Sequence, residues 1–291
     1  MSWVWFALLS ATGSAGTSLL LKRTVARGDV FISTAGFRAI SGVFIAVIVT
    51  VLGAWTHPTI AYWRTLALLM VPEIGGMVSM ALALREGEIS RVQPIMGMLP
   101  IFVTINGALF MHEIPTALAA FGIVLVAVGI YAVGLRRGVS PLEPLRSLAR
   151  DRGSWYAVMS AVFWSVTPFL HKAGTATVGP LMWAMSVSLA SGIVLGAVLP
   201  LRRRIAGVAP DSRPGWATLV IATAIPFTLQ AVALQFALQR AQGGYVMAIS
   251  SMSTLIATGL AVLLYREADG STRIPGAVLV TAGAALIALG G

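Results

Sequence analysis

Two ionisable side chains lie well inside long apolar stretches of this 291-residue chain: Glu73 in LLMVPEIGGMVSM and Arg38 in GFRAISG. A charge away from water is expensive, and its presence defaults to a functional hypothesis. A carboxyl there could take up and release a proton, because only its neutral form avoids the charge; Pro72 before it also fits a place near the membrane surface. Arg38 either snorkels toward water along its own stem or pairs with a carbonyl. His171 and Lys172 fall at the end of an apolar run, where they anchor it or guard a gate. His112-Glu113 lacks the second histidine that the His-Glu-x-x-His spacing of a zinc protease needs. The three histidines, His57, His112 and His171, stand in different segments. There is no Gly-x-Ser-x-Gly elbow and no pair of intramembrane aspartates. Cysteine is absent, so disulfides and thiolate metal sites are excluded. These patterns argue against an enzyme, and no metal or cofactor is expected. Rings of charge and repeated carbonyl-rich loops, the marks of a channel filter, are missing too.

The remaining chemistry is spread over helical faces. At 3.6 residues per turn, Gln93, Gly97, Pro100 and Thr104 share one face of the fourth apolar run, with Met96 beside it. Met247, Ser250, Ser251, Thr254 and Thr258 share a face of the ninth. Ser160, Trp164, Thr167 and His171, flanked by Phe163, share one of the sixth. Glu73, Gly76, Met77 and Met80 do so in the third, Pro226, Gln230 and Ala233 in the eighth, and Ser10, Ser14 and Thr17 in the first. A cavity drawn from these faces is apolar and rich in methionine, with scattered hydroxyls and amides. Thioethers adapt to varied apolar ligands and contact aromatic rings at about 0.3–1.5 kcal/mol each. Polar groups of this kind suit the ammonium and carboxylate of an amino acid, and the methionines and Trp164 suit its side chain. The competing reading of each hydroxyl is a bond to a preceding carbonyl of its own helix.

What positions these faces is a membrane. The chain is 57% hydrophobic and 10% charged, with a mean hydropathy of +0.88, too few charges to cover a soluble domain. Apolar runs at 3–21, 31–53, 65–84, 92–111, 116–135, 154–171, 179–199, 215–238, 245–265 and 273–290 are long enough to span a bilayer. The first run has no basic residue before it and reads as a retained helix. The ten runs divide into two copies of one unit. A shift of 150 pairs Trp5 with Trp155, Lys22 with Lys172 and Gly42 with Gly192; a shift of 154 pairs Val92 with Val246, Glu113 with Glu267 and Gly122 with Gly276. Five runs per copy is odd, so the second copy enters the membrane in the opposite direction. The expected organisation is a first five-helix repeat at 1–137, a basic linker at 138–153 with a short interfacial helix near Leu142–Ala149, and a second, inverted repeat at 154–291. Pro72, Pro94, Pro100, Pro168 and Pro226 lie inside runs and are expected to kink them around a central cavity. Gly122 and Gly129, and Gly276, Gly283 and Gly290, recur every seven residues, which marks the fifth and tenth runs as close-packed structural helices.

The formal net charge of +10 points to topology, not to nucleic acid. Sixteen of the Lys and Arg residues fall in loops after odd-numbered runs and three after even-numbered runs, so the odd loops are cytoplasmic and both termini are outside.

With these residues in view, the chain resembles the drug/metabolite transporter superfamily, in its ten-helix branch of two EamA-type repeats. Trp164-Ser165 followed by Lys172 is similar to the family's tryptophan–small residue…lysine signature; the first copy keeps Lys22 but has Ser14 at the tryptophan position. Arg38 matches an arginine of the second helix, and its repeat mate is Ser188. ALREGEISRVQPIMGMLPIF with Glu113 is similar to the third-to-fourth helix segment; in the second copy Thr254 replaces Pro100, and Glu267 keeps the glutamate. The whole chain looks most like the bacterial aromatic amino-acid exporters of this group. The resemblance implies an inner-membrane, multi-pass carrier that exports aromatic and other apolar amino acids, or similar small metabolites, by alternating access. The alternative is a proton-coupled exporter of lipophilic cationic drugs. The expected substrate-binding residues are Trp164, Phe163, Thr167, Met77, Met80, Gln93, Met96, Pro100, Ser10, Ser14, Gln230, Met247 and Ser251. Glu73, Arg38, His171, Glu113 and Glu267 are the expected gating or coupling residues. The implied partners are a small-molecule substrate and the lipid bilayer, without nucleic acid, and nothing requires more than a monomer.

The charge pattern predicts that Ser2→Cys, the sole thiol in the chain, reacts with a membrane-impermeant maleimide in intact cells. Labelling only after lysis would reverse the orientation.

Overall fold

The computed structural model describes residues 2–25, 27–86, 95–96, 98–134, 151–206, 214–253, 255–256, 260 and 274–290. Among these residues there are ten helices: α1 (Ser2–Val25), α2 (Val30–Val51), α3 (Ile60–Glu86), α4 (Leu99–Phe110), α5 (Ala117–Gly134), α6 (Arg152–Val178), α7 (Pro180–Ala206), α8 (Trp216–Leu238), α9 (Gly243–Ser250) and α10 (Ile274–Gly290). Local chemistry sets several boundaries. Asp29 caps α2 by accepting from the main-chain N–H groups of Phe31 and Ile32 at 2.8 and 3.1 Å, and Asp151 caps α6 through Gly153 and Ser154; such caps satisfy donors that have no intrahelical partner. Pro72, Pro168 and Pro226 lie inside α3, α6 and α8, as expected. Pro100 does not kink a helix. It sits in the first turn of α4, where a missing N–H costs nothing. Pro94, Gln93, Glu267 and linker residues 138–150 lie outside the described residues.

Four stretches are long and apolar enough on their own to cross a membrane: Ser2–Leu21, Phe31–Val51, Pro180–Val198 and Trp216–Leu238. α3 and α6 have 27 residues each and are lengthy enough, but Arg64 and Glu73 in one, and Lys172 in the other, interrupt their apolar character. The outer surface is apolar: Val47, Leu68, Phe121, Val128, Ile193 and Ile225 are exposed, while Ser10, Ser160, Ser188, Ser191 and Thr223 are buried. That distribution suits lipid outside and polar contacts inside. Trp5, Trp55, Trp63 and Trp155 are exposed, as an interfacial belt requires. Trp3 is instead buried and stacks on Tyr245.

Helix pairing obeys a twofold relation. α5 packs mainly on α10, α2 on α7, α1 on α8 and α3 on α6. The first two join repeat mates; the last two exchange under the symmetry that takes α1 to α6 and α8 to α3. The contacts repeat residue for residue at α2–α7, where Gly42 faces Leu189 and its mate Gly192 faces Ala39, the mate of Leu189. The glycine heptads lie in the α5–α10 seam: a Cβ on Gly122 would stand 2.6 Å from the Gly283 carbonyl oxygen, and one on Gly129 2.7 Å from that of Gly276. The fold is two inverted five-helix repeats around a central cavity.

Because both sides of that seam are backbone, Gly122→Val has nowhere to move. It should lower stability by about 1–3 kcal/mol or more, measured as thermal unfolding of the detergent-purified protein. Gly196→Ala, whose Cβ meets nothing within 4 Å, should leave the transition in place.

Candidate functional site

The cavity, about 260 Å³, is walled by α1, α2, α3, α6, α7 and α8, with Leu99 of α4 and the α9 segment. Its main charged feature joins four helices. Arg38 Nη2 of α2 lies 2.6 Å from Glu73 Oε1 of α3, and both side chains are buried. Arg38 Nη1 donates to Ser191 Oγ of α7 at 2.8 Å, and the guanidinium stands 5.0 Å from the Phe227 ring centre of α8. Pairing with a bidentate-capable acid and stacking on an aromatic face is how a buried arginine is made tolerable. Arg38 therefore neither snorkels nor bonds only a carbonyl, and Glu73 lies in the interior, not near the surface. Together they put no net charge on the wall.

Ten of the residues singled out from the sequence line this one cavity: Ser10, Ser14, Arg38, Glu73, Trp164, Thr167, His171, Gln230, Met247 and Ser251. Trp164 is seated by Gly76, where a Cβ would approach the indole to 2.5 Å. Thr167 and Ser251 each donate to a carbonyl of their own helix, at 2.9 and 2.7 Å. Their hydrogens are used locally, and they offer the cavity acceptor lone pairs. His171 is not at a helix end; α6 continues to Val178, and the imidazole is buried.

Five expected lining residues that are described lie elsewhere. Phe163 covers Gly75. Met80 and Met96 belong to a core cluster with Ile95 and Ala157, Pro100 is buried at the start of α4, and Met77 is not on the wall. The cavity is correspondingly poor in sulfur, with Met247 the one methionine among the described lining residues. Sequence reasoning missed Phe227, Leu234, Gln235, Ala184 and Val187, all on the wall.

One residue beyond His171, Lys172 pairs with Glu113 Oε1. The other oxygen of Glu113 accepts the main-chain N–H of Gly243 at 2.9 Å. A single carboxylate after α4 thus holds α6 and the positive N-terminus of α9; it does not cap α5, the helix that follows it. Asn106 adds a second α4–α6 link through Ser165 Oγ at 2.6 Å. No group of three or more His, Cys, Asp or Glu residues that could hold a metal occurs among the described residues.

A family profile, that of the EamA-like transporter family, matches twice, over residues 1–135 and 151–289. The chain belongs to the EamA-like transporter family. As a member it is a multi-pass membrane transporter of small molecules. A crystal structure from the solved structures superposes with a TM-score of 0.80 over 99% of this chain and 98% of its own, at 17% identity; that likeness extends to the fold. A search of curated proteins finds no match.

The ion pair makes a stability prediction. Removing one partner of a buried pair strands the other and costs about 3–5 kcal/mol, whereas replacing both by apolar groups is often neutral. Arg38→Met and Glu73→Gln should each lower the unfolding temperature of this EamA protein, and the Arg38→Met/Glu73→Met double variant should recover most of the loss. Additive losses would show that the two charges are not coupled.

Proposed function

We propose that this transporter carries aromatic and other apolar amino acids, or small zwitterions like them, outward across the bacterial inner membrane. The observation that carries the reading is the neutral Arg38–Glu73 pair in the wall of a cavity whose other lining is apolar, aromatic and uncharged polar side chains. A carrier of lipophilic cations needs an unneutralised carboxylate facing its ligand, and the one intramembrane carboxylate here is already matched by a guanidinium. A zwitterion, with no net charge of its own, suits a wall with none. Trp164, Phe227, Leu234 and Met247 supply apolar surface for its side chain, and thioether–aromatic contact favours an aromatic one. Size agrees: about 260 Å³ lies just under the roughly 300–1,000 Å³ of drug-binding sites, so the cavity suits a single small metabolite. The resemblance of the whole chain to bacterial aromatic amino-acid exporters supports the same choice.

In this reading transport proceeds by alternating access, with two inverted halves rocking around a site near the midplane. Glu113, Lys172 and Gly243 form a joint that closes one end and parts in the opposite state. Because Arg38 holds Glu73, flux follows the substrate gradient and needs no proton.

The test is uptake of labelled phenylalanine into proteoliposomes, with and without an imposed pH gradient. The expected result is saturable uptake that ignores the gradient and falls about tenfold or more in Trp164→Ala. Uptake only with the gradient, abolished by Glu73→Gln, would instead make Glu73 the proton carrier. Uptake of a lipophilic cation but not of phenylalanine would overturn the substrate.

A further inference from the structure

Trp183, His171 and Gln235 form a buried chain of hydrogen bonds whose orientation can be worked out completely. An indole N–H can only donate, and Trp183 Nε1 lies 3.0 Å from His171 Nδ1. Nδ1 must therefore accept, so it carries no proton and the ring hydrogen is on Nε2. The Gln235 side-chain nitrogen lies 3.2 Å from the same Nδ1. Reversing the amide would set its oxygen against the Nδ1 lone pair, so the network requires the nitrogen to face the ring. Gln235 Oε1 is consequently turned away from the His171 ring.

That oxygen has no hydrogen-bond partner, although Gln235 is just 2% exposed. Buried polar atoms are nearly always paired, and an unpaired one calls for an explanation. Among the described residues there are three: Arg38 Nε, Gln235 Oε1 and Ser250 Oγ. All three residues line the one cavity, and so does His171. Packing errors would scatter; groups left for a ligand would gather in this way. The anchor is rigid: Trp183 is fully buried, Gly174 makes room for its ring, and Tyr62 packs edge-on against it at 5.9 Å while donating to Ser186 Oγ at 2.8 Å.

We propose that Gln235 Oε1 is the head-group anchor of the cavity, taking the ammonium of an α-amino acid. An amine held there stays inside the cavity that Trp164 and Phe227 also line, where an apolar side chain finds its contacts. Trp183 touches no substrate and acts as the positioning residue, because its donor-only indole sets both orientations. The assignment rests on the amino-acid reading above and names the residues that would make it selective.

The experiment is equilibrium binding to the full-length protein in lipid nanodiscs. The probes are phenylalanine, 3-phenylpropionate, which lacks the ammonium, and phenethylamine, which lacks the carboxylate. Gln235→Leu should weaken phenylalanine by about 10–100-fold, the usual worth of a hydrogen bond to a charged group, and collapse its preference over 3-phenylpropionate. Gln235→Glu, which restores an acceptor, should keep phenylalanine and improve phenethylamine. Trp183→Phe, which frees the amide to turn, should erode the same preference. Gln235→Leu weakening all three probes equally, or none, would overturn the subsite. Where that variant does not fold, an unchanged probe preference in Gln235→Glu would overturn it instead. Wild-type protein that binds phenylalanine while Gln235→Leu is unaffected leaves the amino-acid reading standing and removes only this one. Wild-type protein that binds none of the three removes both.

Discussion

A guanidinium buried in a lipid-embedded bundle must find its partners within the protein, and that requirement organises the centre of this molecule. Arg38 reaches α3 through Glu73, α7 through Ser191 and α8 through the face of Phe227. Phe227 is the repeat mate of Glu73, 154 positions on. The pseudo-twofold axis thus offers Arg38 two equivalent neighbours, and the chain has placed an acid on one and an aromatic ring on the other. Two acids would leave a net negative cavity and two rings an unpaired charge. The observed choice gives a neutral wall with one polar and one aromatic side, and the substrate chemistry argued above depends on that asymmetry.

The same breaking of symmetry by exchange of size appears at the other wall. Trp164 packs on Gly76. Their mates are Ser14 and Gln230, and Gly13 beside Ser14 lies against Gln230 with a would-be Cβ 2.6 Å from its backbone. A large residue against none in one copy becomes a small one against a medium one in the other. Close packing is preserved in both, yet the indole enters the cavity from α6 alone. The α2–α7 and α5–α10 seams keep their glycines in both copies. Packing symmetry is retained where the bundle is held together and surrendered where it faces a solute.

Much of this was legible in the sequence. Hydropathy marks all ten helices, because a span needs an apolar run, and the two offsets expose the repeat. The cavity was partly legible through polar residues in apolar runs. Arg38–Glu73 was missed because no spacing rule encodes an ion pair between helices, although one buried acid and one buried base were reason enough to expect it. Gln235 was missed for a geometric reason. The helical wheel of α8 had been centred on Pro226, but Pro226 packs against Gly13 and Gly16 of α1. The lining face starts one residue later, at Phe227, and passes through Ala231, Leu234 and Leu238. Methionine misled in the opposite sense: the same thioether fills a core gap or lines a cavity, and composition does not separate Met80 from Met247. Trp183, inside a uniformly apolar run, gave no signal at all.

In the alternating-access reading proposed above, the Glu113 joint is the contact that is held in one state and released in the other. A carboxylate shared between an ammonium and a helix N-terminus is bonded on both oxygens, yet each bond can be exchanged for water once the helix ends part. Neither Lys172 nor Glu113 is deeply enclosed, with side chains 32% and 15% exposed, so the cost of separation is far below that of opening the Arg38–Glu73 pair. A carrier that rocks about its centre needs this ordering: the midplane contact must persist while the peripheral one breaks. The joint also crosses the repeats, taking its acid from the first copy and its base from the second. Lys22 and Glu267 stand at the repeat-related positions with the same residue types, so the chain encodes the ingredients of the joint once for each face of the membrane.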